Sequence, residues 1–390
     1  MKTAASVLVL LFLIAPARAE EPARFLIERI DVRHLVHASP DVIKSESRLR
    51  EGQTVTESEL RDANSRIKRL PFVLEATFSL ERGSVRDAYV LVIIVNETRP
   101  LFYLSELVPY QRARNELGDI DLATLVGARL FAGRNGVFHV AFSDSKNNRP
   151  FGVDYNSSIQ AGYTRYGLFG DRAFVTLTLD HYVAPHENAA TLPGGVIGVA
   201  LTPNQTLTIS YNSLDTTDRF LRQAQRILET RLSYDTTNHP FFPTNGSLLS
   251  VAPILAQTDR SGQDPGLAPF ATHDINAGLE FSAARYWPLD DRFSLGAAGE
   301  GGIIEIDRHS NATNTFSEST ARYGSATLRM ARAVGDMNSE SAQRLELSLG
   351  VVSKEDHYLP LQRSAATQAS VTWVRRNAWG VMRFGLGYTW

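Results

Sequence analysis

The stretch from Val381 to Trp390 alternates without a break and closes the chain on an aromatic. Side chains of an extended strand point to opposite faces in turn. Met382, Phe384, Leu386, Tyr388 and Trp390 therefore share one face, and Val381, Arg383, Gly385, Gly387 and Thr389 share the other. A strand of a soluble sandwich also alternates, but it rarely sets a tryptophan carboxylate at the end of its most apolar face. A strand whose outer face meets lipid, with an aromatic at the interface, accounts for both features.

The opposite end points the same way. Lys2 precedes an apolar core from Ala4 to Ile14, and Ala17-Arg18-Ala19 supplies the small-x-small pattern of a cleavage site. That core is shorter than the roughly 20 apolar residues of a membrane-spanning helix. Residues 1–19 read as a signal peptide, with the mature chain starting near Glu20. Lys+Arg 40 against Asp+Glu 42 leaves the chain nearly neutral, so no nucleic-acid partner is expected. The absence of cysteine removes disulfide scaffolds and thiolate chemistry.

From Leu101 onward, short alternating runs are separated by Gly, Pro, Asn and Asp. Val175, Leu177 and Leu179 alternate with Thr176, Thr178 and Asp180. The same two-residue period recurs at Leu207, Ile209 and Tyr211, at Leu279 and Phe281, at Leu345, Leu347, Leu349 and Val351, and at Val371 and Trp373. A transmembrane strand takes roughly nine to eleven residues, and about fourteen such segments fit. The expected fold is an all-β transmembrane antiparallel barrel of about 12–16 strands over residues 99–390.

Residues 20–98 read as a small α+β domain. Ile27, Ile30 and Val32 mark a first strand, and Ser39-Pro40-Asp41 opens a helix that Gly52 ends. Thr56-Glu57-Ser58-Glu59 is a capping box opening a second helix, in which Leu60, Ala63, Ile67 and Leu70 recur at helical spacing. Pro71 stops it. Strands follow from Val73 and from Ala88, the latter apolar on both faces.

This order resembles the POTRA domain, a periplasmic polypeptide-binding module, with Gly52 at the inter-helix turn, Leu60 and Ile67 in its core and Phe72 before the second strand. The segment from Asp235 to Gly246, with Pro240 and Pro243, resembles a periplasmic turn of the barrels joined to such modules, the BamA and TamA type. Arg285-Tyr286-Trp287-Pro288-Leu289 is similar to the next one. The ending Arg383, Gly385, Tyr388 and Trp390 resembles the family's targeting signal. The resemblance implies that the POTRA-like domain captures unfolded or extended outer-membrane or secreted polypeptides, and that the barrel, in outer-membrane lipid, assists their insertion or translocation. The family's Val-Arg-Gly-aromatic motif of the sixth extracellular loop is absent; the nearest stretch is Ala321-Arg322-Tyr323-Gly324. A passive pore or structural barrel without insertase activity is therefore the alternative.

Nothing in the sequence proposes an enzyme, and no catalytic, cofactor or metal residues are expected. His181, His186, His239, His273, His309 and His357 are scattered among abundant serines with no Gly-x-Ser-x-Gly elbow or His-x-x-x-His pair. Asp180 and His181 are adjacent in a strand and point apart. Asp215 and Asp218 are too few for calcium, and His34 and His37 lack further ligands for zinc. Phe241 and Phe242 suit a membrane interface.

Overall fold

The computed structural model describes residues 23–112, 117–133, 135–145, 157–169, 172–183, 189–217, 221–262, 269–310, 315–335, 341–356 and 362–389. The expected signal peptide, Trp390, His186, Asp218 and His357 lie outside them.

The N-terminal domain runs β1 (Arg24–Arg33), α1 (Pro40–Ser47), β2 (Thr54–Thr56), α2 (Glu57–Lys68), β3 (Val73–Arg82) and β4 (Ala88–Glu97). The short β2 is additional to the expected order. The sheet order is β2-β1-β4-β3, with β1 parallel to β4 and β3 antiparallel to it. Ser39 caps α1, its side chain accepting from the Asp41 N–H at 3.2 Å. The helix ends earlier than Gly52 suggests, because Arg48 takes the left-handed conformation at φ 57°. Gly52, at φ 81°, instead turns the chain into β2 and donates its N–H to the Ile27 carbonyl at 2.7 Å. The capping box of α2 is complete: Thr56 Oγ1 accepts from the Glu59 N–H, and Glu59 Oε2 accepts from the Thr56 N–H at 2.7 Å. Leu60, Ile67 and Phe72 are buried together with Ile27, Ile43 and Ile93.

Fifteen further strands form a closed barrel. They are β5 (Leu101–Arg112), β6 (Leu117–Ala132), β7 (Gly136–Ser145), β8 (Ser157–Leu168) and β9 (Ala173–Val183). Next come β10 (Ala189–Thr202), β11 (Gln205–Thr217), β12 (Leu221–Asp235), β13 (Gly246–Gly262) and β14 (Phe270–Pro288). The ring finishes with β15 (Phe293–Ser310), β16 (Thr315–Val334), β17 (Ser341–Asp356), β18 (Gln362–Asn377) and β19 (Gly380–Thr389). Each strand from β6 onward pairs antiparallel with the one before it. Because the number is odd, the first and last strands run the same way, and β19 closes on β5 in parallel. The expected all-antiparallel barrel is corrected at this one pair.

The two faces separate as alternation requires. Outward side chains such as Leu177, Ile209, Leu347, Phe384 and Leu386 stay exposed, Leu386 by 70%. Lumen positions carry Arg344, Glu346 and Thr372, all buried. An apolar outer belt around a polar interior is the pattern of a barrel surrounded by lipid.

Other expectations are relocated. Asp215-Thr216-Thr217 belongs to β11. Arg285 to Pro288 ends β14, and the turn itself is 289–292, where Asp290 Oδ1 accepts from the Arg292 and Phe293 N–H groups, both at 2.7 Å. Tyr323 sits inside β16 and donates its hydroxyl to Glu280 Oε1 at 2.6 Å.

Candidate functional site

The N-terminal domain lies across one mouth of the barrel, held largely by arginines that donate to backbone carbonyls. Arg48 reaches the carbonyls of Thr202 and Pro203 in the β10–β11 turn, Pro203 at 2.8 Å. Arg66 donates to Pro203 at 3.1 Å and also to the Ser47 carbonyl of its own domain at 2.6 Å. Arg69 holds the β12–β13 turn through the Thr237 carbonyl at 3.0 Å and Asp235 Oδ1 at 2.8 Å. From the barrel, Arg376 of β18 donates to the carbonyls of Val73 and Leu74, each at 2.8 Å. In a ring of fifteen strands, β18 and the β10–β11 turn stand on opposite sides, so the domain spans the opening.

Apolar contact continues across the junction. The domain core takes in Val137, Phe131 and Tyr166 from the barrel rim. Phe72 meets the edges of Phe131 and Tyr166 at 5.3 and 6.2 Å between centroids. The link between β4 and β5 is short and anchored: Thr98 N–H donates to Phe72 O, Arg99 N–H to Ala378 O, and Arg129 N–H to Pro100 O at 2.7 Å.

The β12–β13 turn folds into the mouth. Sequence reasoning places Phe241 and Phe242 at a membrane interface; the structure corrects this for Phe242, while Phe241 stays 43% exposed. Phe242 is 2% exposed and packs against Ala342, Val374 and Val381 on the lumen side of β17, β18 and β19. Arg344 and Arg376 lie over the rings of Phe242 and Phe241 at 5.0 and 4.4 Å. Asp235 accepts from the Thr237 N–H at 2.8 Å, Pro243 is buried and Pro240 half-buried. Gly246 has φ 107°, and a Cβ there would collide with the Thr236 carbonyl. Gly246→Ala is expected to cost about 1–3 kcal/mol and to loosen the turn, measured as a lower midpoint in urea unfolding with the slope unchanged.

His239 organises this turn. Its Nδ1 accepts from the N–H groups of Phe241 and Phe242 at 3.1 and 3.0 Å, so the ring is neutral with its proton on Nε2. Burial, reinforced by Arg376, Lys68 and Arg344, lowers His239 from 6.5 to about 3. A depressed pKa means that the unfolded chain binds the proton more readily. The stabilisation is complete above about 6.5 and is lost as pH falls toward about 3. Unfolding midpoints measured between those values should fall with pH in the native protein and flatten in His239→Gln.

The closing seam is the shortest pairing of the barrel among the described residues, though gaps of the same size interrupt β10–β11 and β12–β13. β19 and β5 pair from Gly380↔Tyr103 to Phe384↔Leu107 and again from Gly387↔Tyr110 to Thr389↔Arg112. The gap falls opposite Val108 and Pro109, and a proline offers no N–H to a ladder. At the rim, Asn377 Oδ1 accepts from the Trp379 and Gly380 N–H groups, and Gly380 approaches Tyr103 so closely that a Cβ would strike its carbonyl. Gly385 is buried on the lumen face, its missing Cβ giving room to Thr372 Oγ1 and the Val371 carbonyl. Arg383 shares that face, and Tyr388 is 41% exposed on the outer one. Of the sequence candidates, the structure gathers Asp235, Pro240, Pro243, Gly246 and Phe72 at the mouth. Arg383, Gly385 and Tyr388 lie along the seam, and Gly52, Leu60 and Ile67 serve the domain's turn and core.

Sequence reasoning misses the four docking arginines, because an arginine aimed at carbonyls has no local signature. In the lumen, Arg231 joins Glu229 at 2.6 Å and Glu280 at 3.4 Å. His37 bonds Glu97 at 2.9 Å. Among the described residues no cluster of three metal-ligating side chains occurs.

No family model and no curated protein matches this chain. Among solved structures, the crystal structure of BamA from Haemophilus ducreyi lacking POTRA domains 1–3 is similar over 94% of this chain and 85% of that one, at 12% identity and a TM-score of 0.40. So low a score leaves function to be read from the geometry.

Proposed function

We propose that this protein is an outer-membrane barrel that handles extended polypeptides, the N-terminal domain receiving them and the barrel assisting their insertion or passage. The observation that carries this reading is the short parallel seam between β19 and β5, whose near end lies at the mouth where the domain docks. A strand pair with few ladder positions opens at less cost than a longer one, and an opened pair offers backbone groups to an incoming strand. The domain contributes a second edge: β3 is the outer strand of its sheet, and its half from Thr77 to Arg82 is largely exposed. An extended chain adding there is β-augmentation. The surrounding partner is outer-membrane lipid, which the apolar belt suits.

A passive pore is the competing reading. The docked domain and the inward turn count against it, because both obstruct the mouth. Reconstitution in liposomes separates the two. The native protein is expected to accelerate folding of an unfolded barrel client and to conduct ions poorly. Steady conductance with no acceleration of any of several clients would sink the proposal.

A further inference from the structure

A basic cleft lies where the domain meets the barrel rim. Lys44 of α1, Arg48 and Arg50 just after it, and Arg172 beside the β8–β9 turn line a space of about 350 Å³, closed on the far side by the β10–β11 turn. Among the described residues the cations outnumber their counter-charges. Among the described residues the carboxylate paired with this group is Glu51, 3.4 Å from Lys44 Nζ and half exposed. Arg48 spends its hydrogen bonds on neutral acceptors, which leaves its charge in place. Glu46, which lines the adjoining space with Arg48, is pushed toward its neutral form by burial. Arg50 and Arg172 form no ion pair among the described residues.

The cleft also touches the belt. Leu201, one of its walls, points outward and is 51% exposed; Phe169, in the neighbouring turn, is 84% exposed. Cations at the rim beside exposed apolar side chains match a molecule with an anionic head and an apolar tail. We infer that this cleft binds the phosphate of an anionic phospholipid in the leaflet beside the N-terminal domain, with its acyl chains lying on the outer face of β10. Such a lipid would bridge α1 to the barrel rim and reinforce the docked position. The inference rests on the lipid-facing reading of the belt and is independent of polypeptide handling.

The test uses the full mature chain in mixed micelles, with bound lipid counted by native mass spectrometry. Phosphatidylglycerol adducts are expected to exceed phosphatidylcholine adducts, and Arg50→Ala with Arg172→Ala to reduce them at least about fivefold. Arg50→Lys with Arg172→Lys should restore most of the binding, since a lysine keeps the point charge. Heat-dependent gel mobility and circular dichroism verify that each variant keeps its barrel, so misfolding is told apart from lost binding. Equal adducts in native and double-alanine proteins, or equal adducts of the two lipids, would overturn the assignment. Displacement of phosphatidylglycerol by millimolar inorganic phosphate would overturn the lipid as the source and leave soluble phosphate as the ligand.

Discussion

Arg376→Ala is expected to release the N-terminal domain from the barrel mouth. Arg376 is 6% exposed, and two of its guanidinium donors satisfy the carbonyls of Val73 and Leu74 at the start of β3. Register between β3 and β4 shifts between Val73 and Glu75, so Leu74 has no partner residue in the ladder. Alanine would strand two buried carbonyls and remove the cation over Phe241. Each stranded acceptor costs roughly 1–3 kcal/mol, and hydrogen bonds from a charged group are the stronger kind, so docking should weaken by at least about 3 kcal/mol. Two readouts should move together: protease cleavage near residues 98–100, where the link is bonded in the native protein, and ion conductance through a mouth no longer covered. Arg376→Lys should fall between, because one ammonium cannot replace a planar fork that serves two acceptors. Native resistance to protease and unchanged conductance in the alanine variant would show that the arginine is not what holds the domain.

The same contacts show which features the sequence discloses. Alternation at Leu345, Leu347, Leu349 and Val351 is legible because lipid on one side and a polar lumen on the other impose a period of two. The second helix of the N-terminal domain is legible because its capping box is a local device, complete within four residues. Phe242 is misread for the opposite reason. An aromatic pair beside prolines suits an interface as well as a plug, and the deciding partners, Ala342, Val374 and Val381, lie a hundred or more residues further on. Arg376 is likewise illegible, since its acceptors are backbone atoms some 300 positions away. The odd strand number escapes as well. β10 carries Pro193, Gly194, Gly195 and Gly198, which blur its alternation, and a miscount of one strand decides whether the closing pair is parallel or antiparallel.

Closing that pair covalently should abolish client folding while leaving the barrel intact. The chain has no cysteine, so an engineered pair is the sole thiol couple present. Met382 and Ser105 stand opposite each other in the continuous half of the seam, and Met382 is on the outer face, away from the Phe242 cluster. Met382→Cys with Ser105→Cys, oxidised, fixes β19 to β5 at the end nearest the domain. If polypeptides are inserted through an opened seam, the oxidised protein should lose at least about tenfold in its acceleration of client folding, and reduction should restore it. Thermal stability should hold or rise, because the cross-link constrains the unfolded chain, which separates a locked seam from a damaged barrel. Full acceleration in the oxidised state would place the working surface elsewhere, and the exposed half of β3 would then be the edge to block next.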